Sequence, residues 1–147
     1  MVIEPKGTKS FKATRTLASL VEQASKQYGT TKSQFRTLEI HSSNLHMHSY
    51  GKSGKVTLKT NPSNQETLLK IPRWDLDWQR DFVLKQAKTF QIGDDLNKME
   101  LEVECEFTNP GNKPIYGGFG SDDEMCFNFV YLSLTPESAP LAQKTMP

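Results

Sequence analysis

Two stretches of the chain carry side chains that can do chemistry together. Leu45-His46-Met47-His48 holds a His-x-His pair. Residues 117–132, GGFGSDDEMCFNFVYL, run from a glycine-rich turn through three acids to Met125-Cys126 and then a run of alternating aromatics. On a strand, residues two apart point to one face, with Cβ atoms about 7 Å apart. Two imidazoles at that spacing can lean onto one ion while Met47 points away. A thioether is a soft, weak ligand at home on Cu(I), whereas zinc sites recruit thiolate, imidazole or carboxylate. His46, His48 and Met125 together point to one redox copper with open positions. Each piece also has a plainer reading: two half-exposed strand histidines, and a methionine that fills the core.

The elements that must position these residues read mostly as short strands. Phe35, Leu38 and Ile40 suggest a strand that leads through Ser42-Ser43-Asn44 to the His pair. Val56-Thr57-Leu58 and residues 67–71 read as strands around the turn Asn61-Pro62-Ser63-Asn64. Trp74, Leu76 and Trp78 alternate as if on one face, and Phe82 and Leu84 continue a strand beyond Asp81. Aromatic packing is their default role, with a substrate-facing Trp as the alternative. Residues 99–107 place Leu101, Val103, Cys105 and Phe107 on one face and Glu100, Glu102, Glu104 and Glu106 on the other. That acidic stripe is a solvated sheet face rather than a cation site. Upstream, Leu17, Leu20, Val21, Ala24 and Tyr28 recur at helical spacing, so residues 16–28 are expected to form a short amphipathic helix that Gly29 stops. Many short strands with regular turn signals predict an all-β, antiparallel sandwich with this short N-terminal helix.

The order of these motifs resembles the copper type II, ascorbate-dependent monooxygenases, the group of dopamine β-hydroxylase and peptidylglycine α-hydroxylating monooxygenase. The matching residues are His46-Met47-His48 followed by Gly51-Lys52, Ile92-Gly93-Asp94, Cys105, Gly117-Gly118-Phe119-Gly120 and Glu124-Met125-Cys126. The likeness spans roughly residues 35–136. It implies a jelly-roll-like sandwich, the C-terminal of two domains, in which His46, His48 and Met125 ligate the copper that binds oxygen. It also implies a Cys105–Cys126 disulfide. A metal-ligating cysteine is the competing role, but neighbours on a strand face opposite sides, which favours the bridge if Met125 faces the metal.

The same resemblance implies a second copper, held by three His on an N-terminal domain and fed with electrons from ascorbate. This chain has three His in all, and only His41 remains after the proposed pair. The expected partner is therefore such a domain elsewhere in the native polypeptide, with one copper per chain here. Family members that act on peptides fix the substrate carboxylate with an Arg two residues before the first ligand His and a Tyr four after the ligand Met. Asn44 and Phe129 occupy those positions. The substrate is then an unknown small molecule, and Phe129 and Tyr131 are candidates for lining its pocket. A non-catalytic copper-binding or carrier module is the alternative function, and a metal-free interaction domain the third.

Length and composition fit one globular domain: 147 residues, 35% hydrophobic and 24% charged. Residues 1–34 read as an N-terminal extension, residues 35–136 as the copper-binding sandwich, and residues 137–147 as a loose tail. A formal charge of +1 gives no electrostatic case for nucleic acid or membrane, and no run approaches a transmembrane length. No signal peptide is visible at the polar start, which reads as an internal or processed end. Two cysteines in a disulfide fit a secreted or periplasmic setting.

Overall fold

The structure, a computed structural model, describes residues 1–138. In chain order it forms strands β1 (Val2–Ile3) and β2 (Thr8–Thr16), helix α1 (Leu17–Gln27), and strands β3 (Phe35–His46), β4 (Gly51–Asn61) and β5 (Asn64–Ile71). Strands β6 (Phe82–Gln91), β7 (Glu100–Thr108), β8 (Ile115–Tyr116) and β9 (Phe127–Pro136) follow. Two antiparallel sheets make the sandwich, one ordered β2-β7-β4-β5 and the other β6-β3-β9, with β1-β8 as a small separate pair. The expected all-β sandwich is what forms. The tail assigned to residues 137–147 lies, from residue 139 on, outside the described residues.

Strand β7 shows how the pattern builds the layers. Leu101, Val103, Cys105 and Phe107 are buried, and the glutamates between them face outward. Lys59 lies 2.7 Å from Glu102, Lys52 3.1 Å from Glu106 and Lys55 3.3 Å from Glu104. The acidic stripe is thus a lysine-covered sheet face. The hydrogen bond from Lys59 holds the Glu102 carboxyl below its usual range, and those from Lys52 and Ser53 do the same for Glu106. Strands β4 and β5 form the expected hairpin, with Asn61 opposite Asn64.

The predicted helix runs over Leu17–Gln27, with the Thr16 hydroxyl accepting the Ser19 N–H at 3.2 Å. Leu17 and Val21 are fully buried. Tyr28 is not part of that apolar face: it is the C-cap residue and is 76% exposed. Gly29, at φ +67°, ends the helix in the left-handed region where glycine fits best. Two strands that the sequence did not suggest precede the helix. Of these, β2 pairs with β7 along its whole length, so Phe11 sits opposite Cys105 and Ala13 opposite Val103.

The Trp74, Leu76 and Trp78 alternation does not form a strand face. Asp75 caps a single 3-10 turn, Leu76–Trp78, by accepting the Asp77 N–H at 3.0 Å. The turn sends Trp74 inward, 8% exposed, and leaves Trp78 outward, 60% exposed. Strand β6 does begin at Phe82, as expected.

Strand β3 sets the orientation of the histidines. Leu38 and Ile40 are buried, and the pairing with β9 slips between Ile40 and Ser42. At the slip Ser42 and Ser43 are both buried, and beyond it Ser43, Leu45 and Met47 form the buried parity. One extra residue, His41, therefore reverses which parity faces the core, as a bulge does. Without it, His46 and His48 would share the inward face of Leu38 and Ile40.

Candidate metal centre

His46 is the last residue of β3, and His48 follows it in the turn before β4. Their rings meet edge-on, with centroids 5.2 Å apart. The His48 Nδ1 lies 2.8 Å from the backbone carbonyl of Asp123. That of His46 lies 2.8 Å from the Gln79 side-chain Oε1. The Asp123 backbone carbonyl only accepts, so His48 Nδ1 donates in that bond; the Gln79 amide holds His46 Nδ1 in the same way, and Nε2 is in each ring the nitrogen left to face an ion. Orientation of a ligating imidazole through its other nitrogen is the usual support of a metal site. His41 is arranged differently: its Nε2 lies 2.8 Å from the Ser133 hydroxyl, and its ring stacks beside Tyr131 at 5.5 Å.

Glu124 joins the two halves of the site. It is 1% exposed. Its Oε2 accepts the His48 N–H at 2.8 Å and the Met125 N–H at 3.2 Å, while Oε1 accepts the Tyr50 N–H at 2.6 Å. One carboxylate therefore ties the backbone of the His-x-His segment to that of the methionine. The β3–β9 register sets His46 opposite Phe127. That pairing ends there; Met125, two residues before Phe127, is half-buried.

Trp74 and Gly51 fix the turn from below. The indole Nε1 donates to the His48 carbonyl at 2.9 Å. A Cβ on Gly51 would stand 2.6 Å from the Trp74 ring, so only glycine lets the chain pass there. Cys105 and Cys126 form a disulfide with Cα atoms 5.8 Å apart. Both sulfurs are thus in a structural bond, and neither is available as a thiolate. Phe129 and Tyr131 face outward, 57% and 66% exposed. The Phe129 ring lies 5.9 Å from that of His46, whereas Tyr131 adjoins His41. Asn44 sits directly opposite Phe129, and its Oδ1 is buried with no partner.

Among the described residues, no three His, Cys, Asp or Glu side chains converge on one point. Two imidazoles with a thioether are a donor set of another kind, and here the Glu124 carboxylate ties the His48 backbone to that of Met125. The family model described as "Copper type II ascorbate-dependent monooxygenase, C-terminal domain" matches residues 17–141. The chain belongs to this family. No curated protein matches it. The monooxygenase match begins at Leu17, the first residue of α1, so the helix lies within it, well before residue 35 where the motif likeness starts. Membership implies copper binding, and the local structure fits that ion: two oriented imidazoles with free Nε2 atoms, and no competing thiolate.

Sequence reasoning missed the residues that orient the site. Glu124 stands in the Glu-Met-Cys block without a role, Trp74 is read only for aromatic packing or substrate contact, and Gln79 and the Asp123 carbonyl are not singled out. For Glu124 a signal existed, since an acid stood beside the Met-Cys step that leads into an apolar strand. Replacing Gln79 tests the orientation directly. In metal-free Gln79→Leu, nitrogen-15 spectra of the imidazoles should show His46 losing its fixed Nδ1–H form while His48 keeps it. An unchanged His46 signal would mean that Gln79 does not set the tautomer.

Proposed function

We propose that this chain is the oxygen-binding copper domain of a monooxygenase that hydroxylates a substrate C–H bond. His46 and His48 through Nε2 and Met125 through its sulfur are the ligands, with one copper per chain. The observation that carries the reading is the Glu124 carboxylate, which ties the backbone of the His-x-His segment to that of the family motif's methionine while an oxygen holds each His Nδ1. Copper bound there would supply oxygen binding and one-electron redox chemistry. The chain's own part is to hold the imidazoles in one tautomer, to pin the methionine segment through Glu124, and to keep both cysteines out of the donor set.

His41 alone cannot make a three-histidine second site, which supports a separate upstream domain that passes on electrons from ascorbate. Asn44 and Phe129 offer neither a charge nor a hydroxyl, so a C-terminal peptide carboxylate finds no anchor, and the substrate is another small molecule. The Cys105–Cys126 bond supports a secreted or periplasmic setting. The second reading, a copper carrier without turnover, is favoured by the lack of a second site within the chain.

A Cu(I) titration with X-ray absorption of the reduced form tests the assignment. One equivalent is expected, with a sulfur scatterer. Met125→Ile nearly conserves volume and should keep the fold, while losing the sulfur signal and at least about tenfold in Cu(I) affinity. Two tightly held coppers, or an unchanged Cu(I) affinity in Met125→Ile, would overturn it. Turnover with ascorbate beside a supplied partner domain separates the enzyme from the carrier.

A further inference from the structure

The solvent face of the β2-β7-β4-β5 sheet carries a group of charges that the metal centre does not use. One row across the four strands reads Lys12, Glu104, Lys55 and Lys70. The register sets Lys12 and Lys55 opposite Glu104 on either side, and Lys70 opposite Lys55. Lys12 lies 3.4 Å from a Glu104 carboxylate oxygen, and Lys55 lies 3.3 Å from the same one. Two ammonium groups thus share one oxygen. Lys70 is exposed and has no ion pair among the described residues. Like charges directly opposite on neighbouring strands are destabilising, so the Lys55–Lys70 pair is a cost that the sheet alone does not remove.

The next row is Ser10, Glu106 and Ser53. Lys52 lies 3.1 Å from one Glu106 oxygen, and the Ser53 hydroxyl donates to the other at 3.0 Å. The Ser10 hydroxyl makes no hydrogen bond among the described residues. A cavity of ≈ 430 Å³ lies against both rows, and its wall includes Lys55, Lys70, Glu104, Glu106 and the two serines. Glu102, next along β7, is matched by Lys59 at 2.7 Å. With Lys12 and Lys52 counted behind the glutamates, four lysines stand against two carboxylates, and the surplus falls at Lys55 and Lys70. A cation entering the cavity finds each carboxylate already taken. An anion finds two opposed ammonium groups, one of them unpaired, and a free hydroxyl.

We propose that this cavity binds a doubly charged phosphate group, either free or carried on a small molecule. The surplus of two positive charges matches the charge that a phosphate monoester bears near neutral pH. Lysine serves such groups as a point charge. A cavity of this size also has room for a carrier beside the phosphate. The site is built on the four-stranded sheet, whereas His46 ends a strand of the other one, and nothing in it rests on the copper reading.

The test uses the full chain labelled with nitrogen-15, with glucose 6-phosphate as the probe at about pH 7.5, where a phosphate monoester is a dianion. Saturable shifts are expected at the Ser10, Ser53 and Lys70 amides, and none at His46 or His48. Glucose should give no shift, and glucose 6-sulfate, with a single charge, should bind at least about threefold more weakly. Lys70→Gln should lose at least about threefold in affinity. The same variant should raise the stability of the ligand-free chain, because Lys55 loses its opposed like charge. Lys85→Gln, at an exposed position of β6 in the other sheet, removes the same net charge and should leave the affinity unchanged. Tighter binding of glucose 6-phosphate than of inorganic phosphate supports a phosphorylated small molecule as the ligand, and equal affinity supports free phosphate. No saturable shift at those amides, equal affinity for glucose or glucose 6-sulfate, or equal losses in Lys70→Gln and Lys85→Gln would each overturn the proposal.

Discussion

Glu124→Ala is expected to destabilise the chain by about 3–5 kcal/mol, because it leaves three backbone N–H groups without an acceptor. The side chain is 1% exposed, so water does not replace it without opening the structure. Two of its hydrogen bonds are short, at 2.6 and 2.8 Å, as expected where a charged acceptor meets N–H donors. Glu124→Gln is the finer probe. Its amide keeps one acceptor oxygen but turns an NH2 toward an N–H, so about 2 kcal/mol should be lost with little change in volume. Urea unfolding measures both, and amide exchange at His48, Tyr50 and Met125 should quicken ahead of exchange in β7. A loss below about 1 kcal/mol for Glu124→Ala would mean that the three donors find other partners. The consequence for function follows from place. Glu124 holds the His48 and Met125 backbones together, so Cu(I) affinity should fall in both variants even where the sandwich survives.

The layers were legible where a residue's face depends on its own strand. Strand β7 alternates without interruption, the β4–β5 hairpin carries its turn residues, and α1 carries its cap. The edge strand β2 was not legible. Its inward positions include only Phe11 and Ala13 as apolar residues, and its Lys12 serves the glutamate stripe of a strand far along the chain. The Trp74 to Trp78 spacing has period two, yet one Asp75 cap converts it to a 3-10 turn. Most telling is β3. The apolar residues Leu38 and Ile40 have the same parity as His46 and His48, and a single strand's pattern would send all four inward. The residue that reverses this, His41, is extra only relative to β9, so the reversal belongs to the pair of strands. The ligand types were readable because imidazole and thioether are rare and their order matches a family. Their supports were not, because Gln79 lies 33 residues from His46 and Asp123 lies 75 from His48.

The second large effect is expected at the disulfide. The Cys105→Ala, Cys126→Ala double variant should lose about 3 kcal/mol relative to the oxidised chain, from the entropy of a closed loop. The bond spans a sequence separation of 21 residues. It runs from β7 in the four-stranded sheet to the residue that precedes β9 in the three-stranded one. Besides closing a loop, it therefore clips one sheet to the other. Cys105 is fully buried and Cys126 packs against the core, so removing both sulfurs also leaves a small void. Urea unfolding of the oxidised chain against the double variant measures the loss, and a value under about 1 kcal/mol would show that the clip is redundant. The same variant resolves how the methionine is held. Cys126 and Glu124 flank Met125 in sequence, and each ties it to a different wall. If Cu(I) affinity drops with the bridge gone while the Glu124 hydrogen bonds persist, the disulfide positions the thioether. If affinity is unchanged, the Glu124 carboxylate does so alone, and the bridge serves the sandwich only.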